Sequence, residues 1–359
     1  MAGAVRLHDP ADTRLDRVSL ILDRSASVEG IGQRQPPTHT SRRTSSPKGP
    51  YMSTANRTLI MTGATRGIGL HAARDVLGRS LDTHLVVLGR ESSAAEVLPS
   101  LQEISAHVST VDIDLASTAS VAAAGAQLED LLDSGQLPPL RGLVFNAGVH
   151  LSNALEATVD GYERTFAVNV MATHQLLRQL HPHIQEPARI VVTVSDAHFG
   201  DLRHTGGTMP APRWALPEIS RPGGFDRSGE VRAGRRAYVT SKLGGIHLVH
   251  QWARRLPDGI EIVSYNPSLV VGTGLARETG GAFPFLMSRI IPLLSVTPLV
   301  DTPGPAGRKL ADVILGVTSA ASGAYIHRTK TTASSAESYD STREEALWNW
   351  LEQRPQMTD

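Results

Sequence analysis

The sequence predicts an α/β fold built on one doubly wound parallel sheet. From residue 57 onward, short apolar runs alternate with helical patterns, as in chains whose strands and helices follow one another. Most of the apolar runs are continuous, which is typical of strands covered by helices on both faces. A glycine-rich turn joins the first run to the first helix. These three observations favour a single domain of the Rossmann type, with ligands at the carboxyl edge of the strands.

Seven strands and five helices are predicted within this domain, followed by a helix in the tail. The strands are 58–63, 84–89, 107–114, 142–148, 189–195, 260–267 and 323–328. The helices are 67–79, 117–133, 159–181, 236–256 and 305–316, and the tail helix is 340–353. The tail pattern predicts that Trp348 and Leu351 dock on the domain. Segments 199–235 and 272–304 do not fit the repeat, and we expect long substrate-side insertions there because long loops in compact domains are more often functional.

The chain is predicted to divide into three parts. Residues 1–55 are rich in Pro, Ser, Thr and Arg, and we expect a disordered N-terminal extension because they bury too little apolar surface. Its aspartates argue against a transit peptide, and an over-long gene start is a second interpretation because Met52 immediately precedes the fold. Residues 56–330 form the folded domain, and residues 331–359 a linker with an amphipathic helix.

Composition excludes several classes of function. Lys plus Arg and Asp plus Glu are equal at 35 each, so no charge pattern for nucleic acid or an anionic membrane is present. The absence of cysteine excludes disulfides, thiolate metal sites and a cysteine nucleophile. The most apolar segment, 282–300, carries Arg289 and three prolines and does not predict a spanning helix. It is interpreted as a substrate-side lid or a peripheral membrane contact, and we expect a cytoplasmic protein.

The glycine-rich turn has the spacing G-x-x-x-G-x-G. Gly63 allows a tight turn after the strand, while Gly67 and Gly69 let backbone N–H groups approach a diphosphate at the helix N-terminus. A tight turn without a ligand is the alternative. The stretch TGATRGIG, Thr62–Gly69, resembles the fingerprint of the short-chain dehydrogenase/reductase family, and the resemblance extends from about residue 57 to residue 325. It implies a cofactor loop formed by Gly63, Thr65, Arg66, Gly67, Ile68 and Gly69.

The choice of nucleotide depends on two cations. Arg90 ends the second predicted strand, where an NAD-binding protein would offer an acid to the ribose hydroxyls. Arg66 adds a second positive charge within the loop. Each alone is often a solvated surface residue, but together they favour the 2′-phosphate of NADP over NAD.

The resemblance assigns further cofactor contacts at the ends of three later strands. Asp114 and Leu115 match the pair that contacts adenine, although an aspartate there is also able to cap the next helix. The Asn-Ala-Gly turn matches the residues that line the nicotinamide ribose, although such turns are common. After the sixth strand, Ser268 stands where the family has glycine. The candidate residues at these sites are Asp114, Leu115, Asn146, Ala147, Gly148, Pro267 and Thr273.

Tyr238 and Lys242 form the strongest candidate for catalysis. At positions i and i+4 of a helix, the two side chains lie on one face. The pKa of a phenol is normally near 10, and a neighbouring ammonium is expected to lower it toward neutrality. An exposed aromatic–cation pair is the alternative. In the family this pair also binds the cofactor.

The resemblance adds Ser195 and Asn169 to the catalytic group. Ser195 matches the serine that hydrogen-bonds the substrate carbonyl, and a capping serine is its alternative role. Asn169 matches the asparagine that holds a water linking Lys242 to solvent, and satisfying helix backbone is a compatible role. The implied reaction is hydride transfer between NADPH and a carbonyl, with Tyr238 donating the proton.

Within the family, DLASTASV, VSDAHFG, TGLARE and the C-terminal SGAYI look like the branch of retinol dehydrogenases and protochlorophyllide reductases. That branch implies a bulky, lipophilic substrate. Protochlorophyllide reductases rely on an active-site cysteine that this chain lacks, so only the reaction class is carried over. Two alternatives stay open: an inactive cofactor-binding sensor or scaffold, and an epimerase or dehydratase on the same fold.

Metal binding and assembly are also addressed by the sequence. His247 and His250 are spaced i and i+3, but no third ligand with a recognisable spacing follows, so no metal is predicted. Relatives pair through the helices that carry Asn169 and Tyr238, which suggests a homodimer or tetramer. If the long insert covers that surface, a monomer is the alternative.

Overall fold

The computed structural model describes residues 55–225, 230–271 and 300–353. Its strands form a single sheet in the order β3-β2-β1-β4-β5-β6-β7-β8. They are β1 Arg57–Thr62, β2 Thr83–Gly89, β3 Val108–Asp112, β4 Leu140–Phe145, β5 Ile184–Thr193, β6 Ile260–Asn266, β7 Tyr325–His327 and β8 Lys330–Thr332. The pairs from β3 to β7 are parallel, which confirms the predicted fold class, whereas β8, not predicted, is antiparallel to β7. Because the strand order reverses between β1 and β4, a ligand crevice is expected at their carboxyl ends.

Seven longer helices of the described chain frame this sheet, and a short helix, Leu202–Thr205, follows β5. The seven are α1 Gly67–Arg79, α2 Glu91–Gln102, α3 Thr118–Asp133, α4 (Arg164–Phe166 and Ala172–Leu180, joined by a π-helical turn Ala167–Met171), α5 Glu230–Ala253, α6 Pro303–Ile314 and α7 Ser341–Glu352. The sequence did not predict α2, and it placed the start of α5 at residue 236 rather than at Glu230. In the described part of the chain, no helix combines the length and the apolar character needed to cross a membrane.

The helices cover both faces of the sheet. Alternate side chains of a strand point to opposite faces, so Ile60 of β1 belongs to one apolar core while Leu59 and Met61 belong to the other. The first core packs under α3, α4, α5 and α7, and the second under α1, α2 and α6. Each large buried aliphatic side chain contributes roughly 1.5–3 kcal/mol to folding. The sheet is therefore a rigid platform whose carboxyl edge carries the loops.

The C-terminal helix α7 packs across α4 and α5. The Trp348 ring lies 5.0 Å from that of Trp252, and Leu351 is buried, as the tail pattern predicted. At its end, Glu352 Oε1 lies 3.0 Å from Nε2 of His174 in α4. Helix α7 thus covers a face of α4 and α5, the helices that carry Asn169 and Tyr238 and that were expected from the sequence to be covered by either a partner subunit or the long insert.

A buried acid begins α4. Glu163 is fully buried, and its carboxylate accepts hydrogen bonds from the N–H groups of Thr165 and Phe166 at 3.0 and 2.7 Å. Burial raises the pKa of Glu163 from 4.5 to about 7, because desolvation of the carboxylate outweighs these bonds. At neutral pH the helix that carries Asn169 therefore begins on a group that is close to its titration point.

This acid makes stability depend on pH in a defined direction. A folded-state pKa above the unfolded value means that the folded protein holds the proton more tightly, so stability present below pH 4.5 is lost as the pH rises through 7. Between pH 5 and 8 we expect Glu163 to lower the free energy of unfolding by about 2 kcal/mol. Urea unfolding of wild type and Glu163→Gln at both pH values measures this, since other groups cancel in the difference. A difference between the two proteins that does not change with pH would contradict it.

Candidate active site

The turn after β1 is a close-packed backbone cradle. Gly63 and Gly67 have φ values of +68° and +56°, in the left-handed region that favours glycine. A Cβ on Gly69 would lie 1.9 Å from the Gly63 carbonyl oxygen, so glycine is required there as well. Arg66, the N-cap of α1, makes no side-chain capping bond. The first N–H groups of α1 therefore lack a side-chain cap, as a helix that receives a phosphate requires.

The Asn-Ala-Gly turn after β4 is tied to this cradle. Asn146 Nδ2 donates to the Gly63 carbonyl at 3.0 Å, and its Oδ1 accepts from the Thr193 hydroxyl at 3.2 Å. The Ala147 N–H donates to Thr62 Oγ1 at 3.2 Å. Three strand ends thus meet where the strand order reverses. The geometry and donor set of this crevice fit a dinucleotide.

Both candidate cations for a 2′-phosphate lie at the rim of the crevice. Arg66 and Arg90 are exposed, and Arg90 directly precedes α2. Thr65 and Ile68 are half-buried within the loop. The loop therefore presents Arg66 outward, while Ile68 packs inward on the core.

At the end of β3, the sequence left two roles open for Asp114: contact with adenine and capping of the next helix. Asp114 is exposed, and its Oδ1 accepts from the Ala116 N–H at 2.9 Å. The N-cap of α3 is Ser117, whose hydroxyl accepts from the Ser120 N–H at 3.2 Å. The capping role considered for Asp114 is therefore wrong, while Leu115 lies half-buried beside it against the core.

The turn after β6 keeps a glycine-like backbone without glycine. Pro267 is buried, and Ser268 has a φ of +65°. A non-glycine residue in this region costs roughly 1–2 kcal/mol. The Ser268 N–H donates to Asn266 Oδ1 at 2.8 Å and fixes the turn. Thr273, the candidate carboxamide contact, lies outside the described residues, as does most of 272–304.

Tyr238, Lys242 and Ser195 come together as the sequence predicted. Tyr238 and Lys242 lie one turn apart on α5, both are buried, and the Ser195 side chain is near enough to Tyr238 to act against the rise of its pKa. Lys242 Nζ donates to the Thr193 carbonyl at 3.0 Å and lies 5.6 Å from the centre of the Tyr238 ring. Ser195 Oγ also accepts from the Ala197 N–H at 3.2 Å, so the capping role considered for Ser195 is present beside the contact with Tyr238. Two hydroxyls and an amine thus lie together at the end of β5.

Burial controls the proton affinities of this pair. It raises the pKa of Tyr238 to about 12, against the opposing effect of the Ser195 side chain, and it lowers the pKa of Lys242 to about 8. The expectation that Lys242 brings the Tyr238 pKa toward neutrality is therefore wrong for this geometry. The amine is engaged with the Thr193 carbonyl, and desolvation of the phenolate dominates. At neutral pH Tyr238 is accordingly a neutral phenol that holds a proton to donate.

Asn169 occupies the π-helical turn of α4. Its Oδ1 accepts from the Val149 N–H at 2.9 Å, and its Nδ2 donates to the Val149 carbonyl at 3.0 Å and to Ser241 Oγ at 2.9 Å. A Cβ on Gly148 would lie 3.2 Å from Asn169 Oδ1 and 3.3 Å from Lys242 Nζ. The Asn169 side chain therefore bonds the backbone of the loop after β4 rather than helix backbone, and Asn169 and the Lys242 amine both lie against Gly148.

Sequence reasoning missed His150. Its ring stacks on Tyr238, with ring centres 4.3 Å apart and planes inclined by 22°. His150 Nε2 is buried and has no hydrogen-bond partner among the described residues, which costs about 1–3 kcal/mol. The one signal in the sequence is the position of His150 directly after the Asn-Ala-Gly turn and Val149.

Sequence reasoning also missed the polar cluster around Asp196. Asp196 Oδ1 accepts from Asn266 Nδ2 and, at 3.0 Å, from the Tyr325 hydroxyl. This cluster ties the turn that follows Ser195 to the ends of β6 and β7. No sequence pattern indicates it, because its members come from three separate strand ends.

The histidines considered for metal binding make other contacts. His250 Nδ1 lies 2.7 Å from Glu344 Oε1, and His247 packs edge-on against Trp214 with ring centres 4.7 Å apart. A histidine outside that pair, His183, lies 3.5 Å from Glu129 and 3.2 Å from Asp133. Residues 55–225, 230–271 and 300–353 contain no group of three side chains placed to hold a metal ion.

Comparisons with known proteins agree with this geometry. The model of the short chain dehydrogenase family matches residues 57–206. Chloroplastic protochlorophyllide reductase from Chlamydomonas reinhardtii is 30% identical over 321 residues, which cover 82% of this chain and 76% of that protein. NADPH-bound carbonyl reductase from chicken fatty liver shares the fold, with a TM-score of 0.55 at 19% identity over 78% of this chain and 99% of that one.

A second solved structure, the angucycline C-6 ketoreductase LanV with bound NADP, has a TM-score of 0.55 at 22% identity, covering 77% of this chain and 95% of that one. These likenesses establish the fold, while the similarity to protochlorophyllide reductase extends over most of both chains. The chain belongs to the short-chain dehydrogenase/reductase family of oxidoreductases, in the branch that includes the protochlorophyllide reductases.

Proposed function

We propose that this protein is an NADP-dependent oxidoreductase that transfers a hydride between NADP(H) and a carbonyl or alcohol group of a bulky, lipophilic substrate. Tyr238 is the acid/base in this reaction. The observation that carries the proposal is the buried Tyr238 side chain, with the Ser195 side chain near it and the Lys242 amine 5.6 Å from the centre of its ring. This group lies at the end of β5, beside a crevice that fits a dinucleotide.

Side chains of this protein orient the substrate and supply the proton, and the nicotinamide provides the hydride when bound. The hydroxyls of Ser195 and Tyr238 both donate to a substrate carbonyl oxygen and orient it. As negative charge grows on that oxygen, Tyr238 passes its proton to it. Since an alkoxide is a stronger base than a phenolate, this transfer is favourable even for a phenol whose pKa is about 12.

Lys242 and Asn169 serve the return of the proton. A charged Lys242 amine stabilises the phenolate left on Tyr238, because opposite charges attract strongly in a site shielded from water. Asn169 lies with that amine against Gly148 and fixes the Val149 backbone, and its proposed role is to hold a water that relays the proton. Oxidation of an alcohol uses the same groups in reverse.

Two exposed arginines support the choice of NADP. Arg66 and Arg90 lie at the rim of the crevice, where a guanidinium pairs well with a phosphate. The carbonyl reductase and LanV, which share the fold, were both solved with the phosphorylated nucleotide. The same preference in this chain follows from the charge pattern of its own loop.

Removing either arginine is expected to weaken NADPH binding selectively. Arg66→Ala and Arg90→Ala should each raise the NADPH dissociation constant about tenfold, the loss of one charge-assisted contact, with little change for NADH. Fluorescence titration of both nucleotides measures this. The control is Arg74→Ala, which removes an exposed arginine from α1, the helix whose N-cap is Arg66. Equal losses for NADPH and NADH would show that the 2′-phosphate is held elsewhere.

The lipophilic substrate is supported by the composition of segment 282–300 and by the branch of the family. The test is NADPH oxidation with a panel of aliphatic aldehydes, aryl ketones, retinoids and polycyclic quinones. Turnover that increases with the apolar size of the carbonyl compound supports the proposal. NADPH binding without turnover of any compound would favour a cofactor-binding scaffold instead.

A further inference from the structure

His150 lies against the catalytic phenol but has no part in the reaction described above. Its ring stacks on Tyr238 at 4.3 Å, and the residue is only 8% exposed. Its Nε2 atom is buried, and within residues 55–225, 230–271 and 300–353 it has no hydrogen-bond partner. Folded proteins pair nearly all such atoms, and an exception beside reacting groups calls for a partner that arrives with a ligand.

Other buried histidine nitrogens also lack partners in the described chain, but their surroundings differ. His174 Nδ1 and both nitrogens of His247 lie in the helix layer, where the rings contact Trp348 and Trp214. Within this set, His150 is the residue whose ring contacts Tyr238. Its unpaired nitrogen is therefore the one that a substrate held by Tyr238 is placed to meet.

The imidazole is suited to a neutral hydrogen bond. Burial, together with the positive charges of Arg235 and Lys242, lowers the pKa of His150 to about 4. The ring is therefore uncharged under ordinary conditions, and Nε2 either donates or accepts according to the tautomer. Such a group recognises a hydroxyl or carbonyl oxygen rather than an anion.

The stack also limits the distance between His150 Nε2 and the Tyr238 oxygen, and with it the distance between the two substrate oxygens that these atoms could bind. With ring centres 4.3 Å apart and nearly parallel planes, His150 Nε2 and the Tyr238 oxygen are within about 7 Å of each other. Two hydrogen bonds of about 2.8 Å each then reach two substrate oxygens separated by a few bonds. A carbonyl oxygen and an oxygen on the β carbon, about 3 Å apart, fall within this reach and are the pair of oxygens that the experiment below tests.

We propose that His150 is a specificity-determining residue that hydrogen-bonds a second substrate oxygen, so that the preferred substrates are β-oxygenated carbonyl compounds such as β-hydroxy ketones. The inference rests on the proposed function of the same site. It adds a chemical requirement that lipophilicity alone does not impose, because an apolar pocket discriminates weakly between compounds that differ by one hydroxyl.

Two substitutions separate the stacking of His150 from its hydrogen bond. His150→Phe keeps a flat ring against Tyr238 and removes both nitrogens. His150→Gln loses the ring but keeps a hydrogen-bonding amide at a reach similar to that of Nε2. His181→Phe is the control, since this half-buried histidine contacts Trp252, at 5.2 Å between ring centres, and not Tyr238.

The experiment compares butyrophenone with its 3-hydroxy derivative, which has the same skeleton and one added β-hydroxyl. We expect wild type and His181→Phe to favour the hydroxy ketone in kcat/KM. His150→Phe should reduce that preference about tenfold or more, chiefly through KM, and His150→Gln should retain part of it. NADPH affinity is measured for each variant to show that the cofactor site is intact.

Three results would overturn the inference. The first is a wild type that turns over both ketones without preferring the hydroxy ketone, and this result needs no variant. The second is a His150→Phe protein that still binds NADPH and keeps the wild-type preference for the hydroxy ketone, or a His150→Gln protein that keeps the wild-type rate but has lost that preference. In both cases the proposed function stands. The third, NADPH binding without reduction of any ketone, removes the proposed function and this inference together.

Discussion

Tyr238→Phe is expected to lower kcat for carbonyl reduction by about 10²- to 10⁴-fold, the usual contribution of a positioned general acid. The substitution removes only the hydroxyl, so the ring still stacks on His150 and fills the same space on α5. The NADPH dissociation constant should therefore change less than about twofold. Single-turnover rates with NADPH and a reducible aryl ketone, together with fluorescence titration of the nucleotide, measure both effects.

The matched control is Tyr265→Phe. Tyr265 is as deeply buried as Tyr238, but within the described residues its hydroxyl makes a single long contact, 3.4 Å to the Ala306 carbonyl. Its loss should leave the single-turnover rate within about twofold of wild type, because it removes no group that donates to the substrate. A Tyr238→Phe protein that reduces ketones at the wild-type rate would remove the proposed mechanism, because no other described hydroxyl besides Ser195 lies in that group.

Gly69→Ala is expected to weaken NADPH binding by about 10- to 100-fold, as overpacking by one methyl typically costs 1–3 kcal/mol. The new Cβ would lie 1.9 Å from the Gly63 carbonyl oxygen and 2.6 Å from Asn146 Nδ2. Both neighbours belong to the phosphate cradle, so relieving the contact moves the groups that face the cofactor. Titration of NADPH gives the affinity, and thermal unfolding shows how much of the loss is global.

Gly78→Ala on the same helix is the control. A Cβ there meets nothing within 4 Å, and alanine in place of an exposed helical glycine stabilises by up to about 1 kcal/mol. The two variants thus add the same methyl to α1, but Gly69→Ala is expected to weaken NADPH binding, whereas Gly78→Ala is expected to stabilise the fold. If Gly69→Ala bound NADPH as tightly as Gly78→Ala does, the glycine loop would not be the phosphate site.

The sequence predicted most of the sheet because buried parallel strands leave a strong signal. The continuous apolar runs at β1, β2, β4, β5 and β6 all appear as strands. Helix α2 was missed because it buries only Ala94, Val97 and Leu101 and carries Pro99, a residue that argues against a helix interior. Strand β8 was missed because its three residues are all exposed and are held by the pairing with β7 alone.

The candidate site was predictable where local spacing decides contact. Tyr238 and Lys242 meet because they are one helical turn apart, and the glycines act within a single loop. Contacts between distant segments were not predictable, which is why the stack of His150 on Tyr238 was missed. The direction of the Tyr238 pKa was also wrong, since charge proximity is visible in a sequence but the depth of burial is not.

The π-helical turn in α4 has a consequence for the angular phase of that helix. Successive residues of an α-helix are rotated by about 100°, so the extra residue of a π turn offsets the two flanking segments by about that angle. Phe166 before the turn and Leu176 after it both face the apolar core, while Asn169 between them turns its amide to Val149. Removing one residue from the turn would therefore rotate the segment that carries Phe166 against the segment that carries Leu176 by about 100° and would displace Asn169 relative to one of them. The number of residues in this one turn is therefore as much a determinant of the catalytic geometry as the identity of any side chain in it.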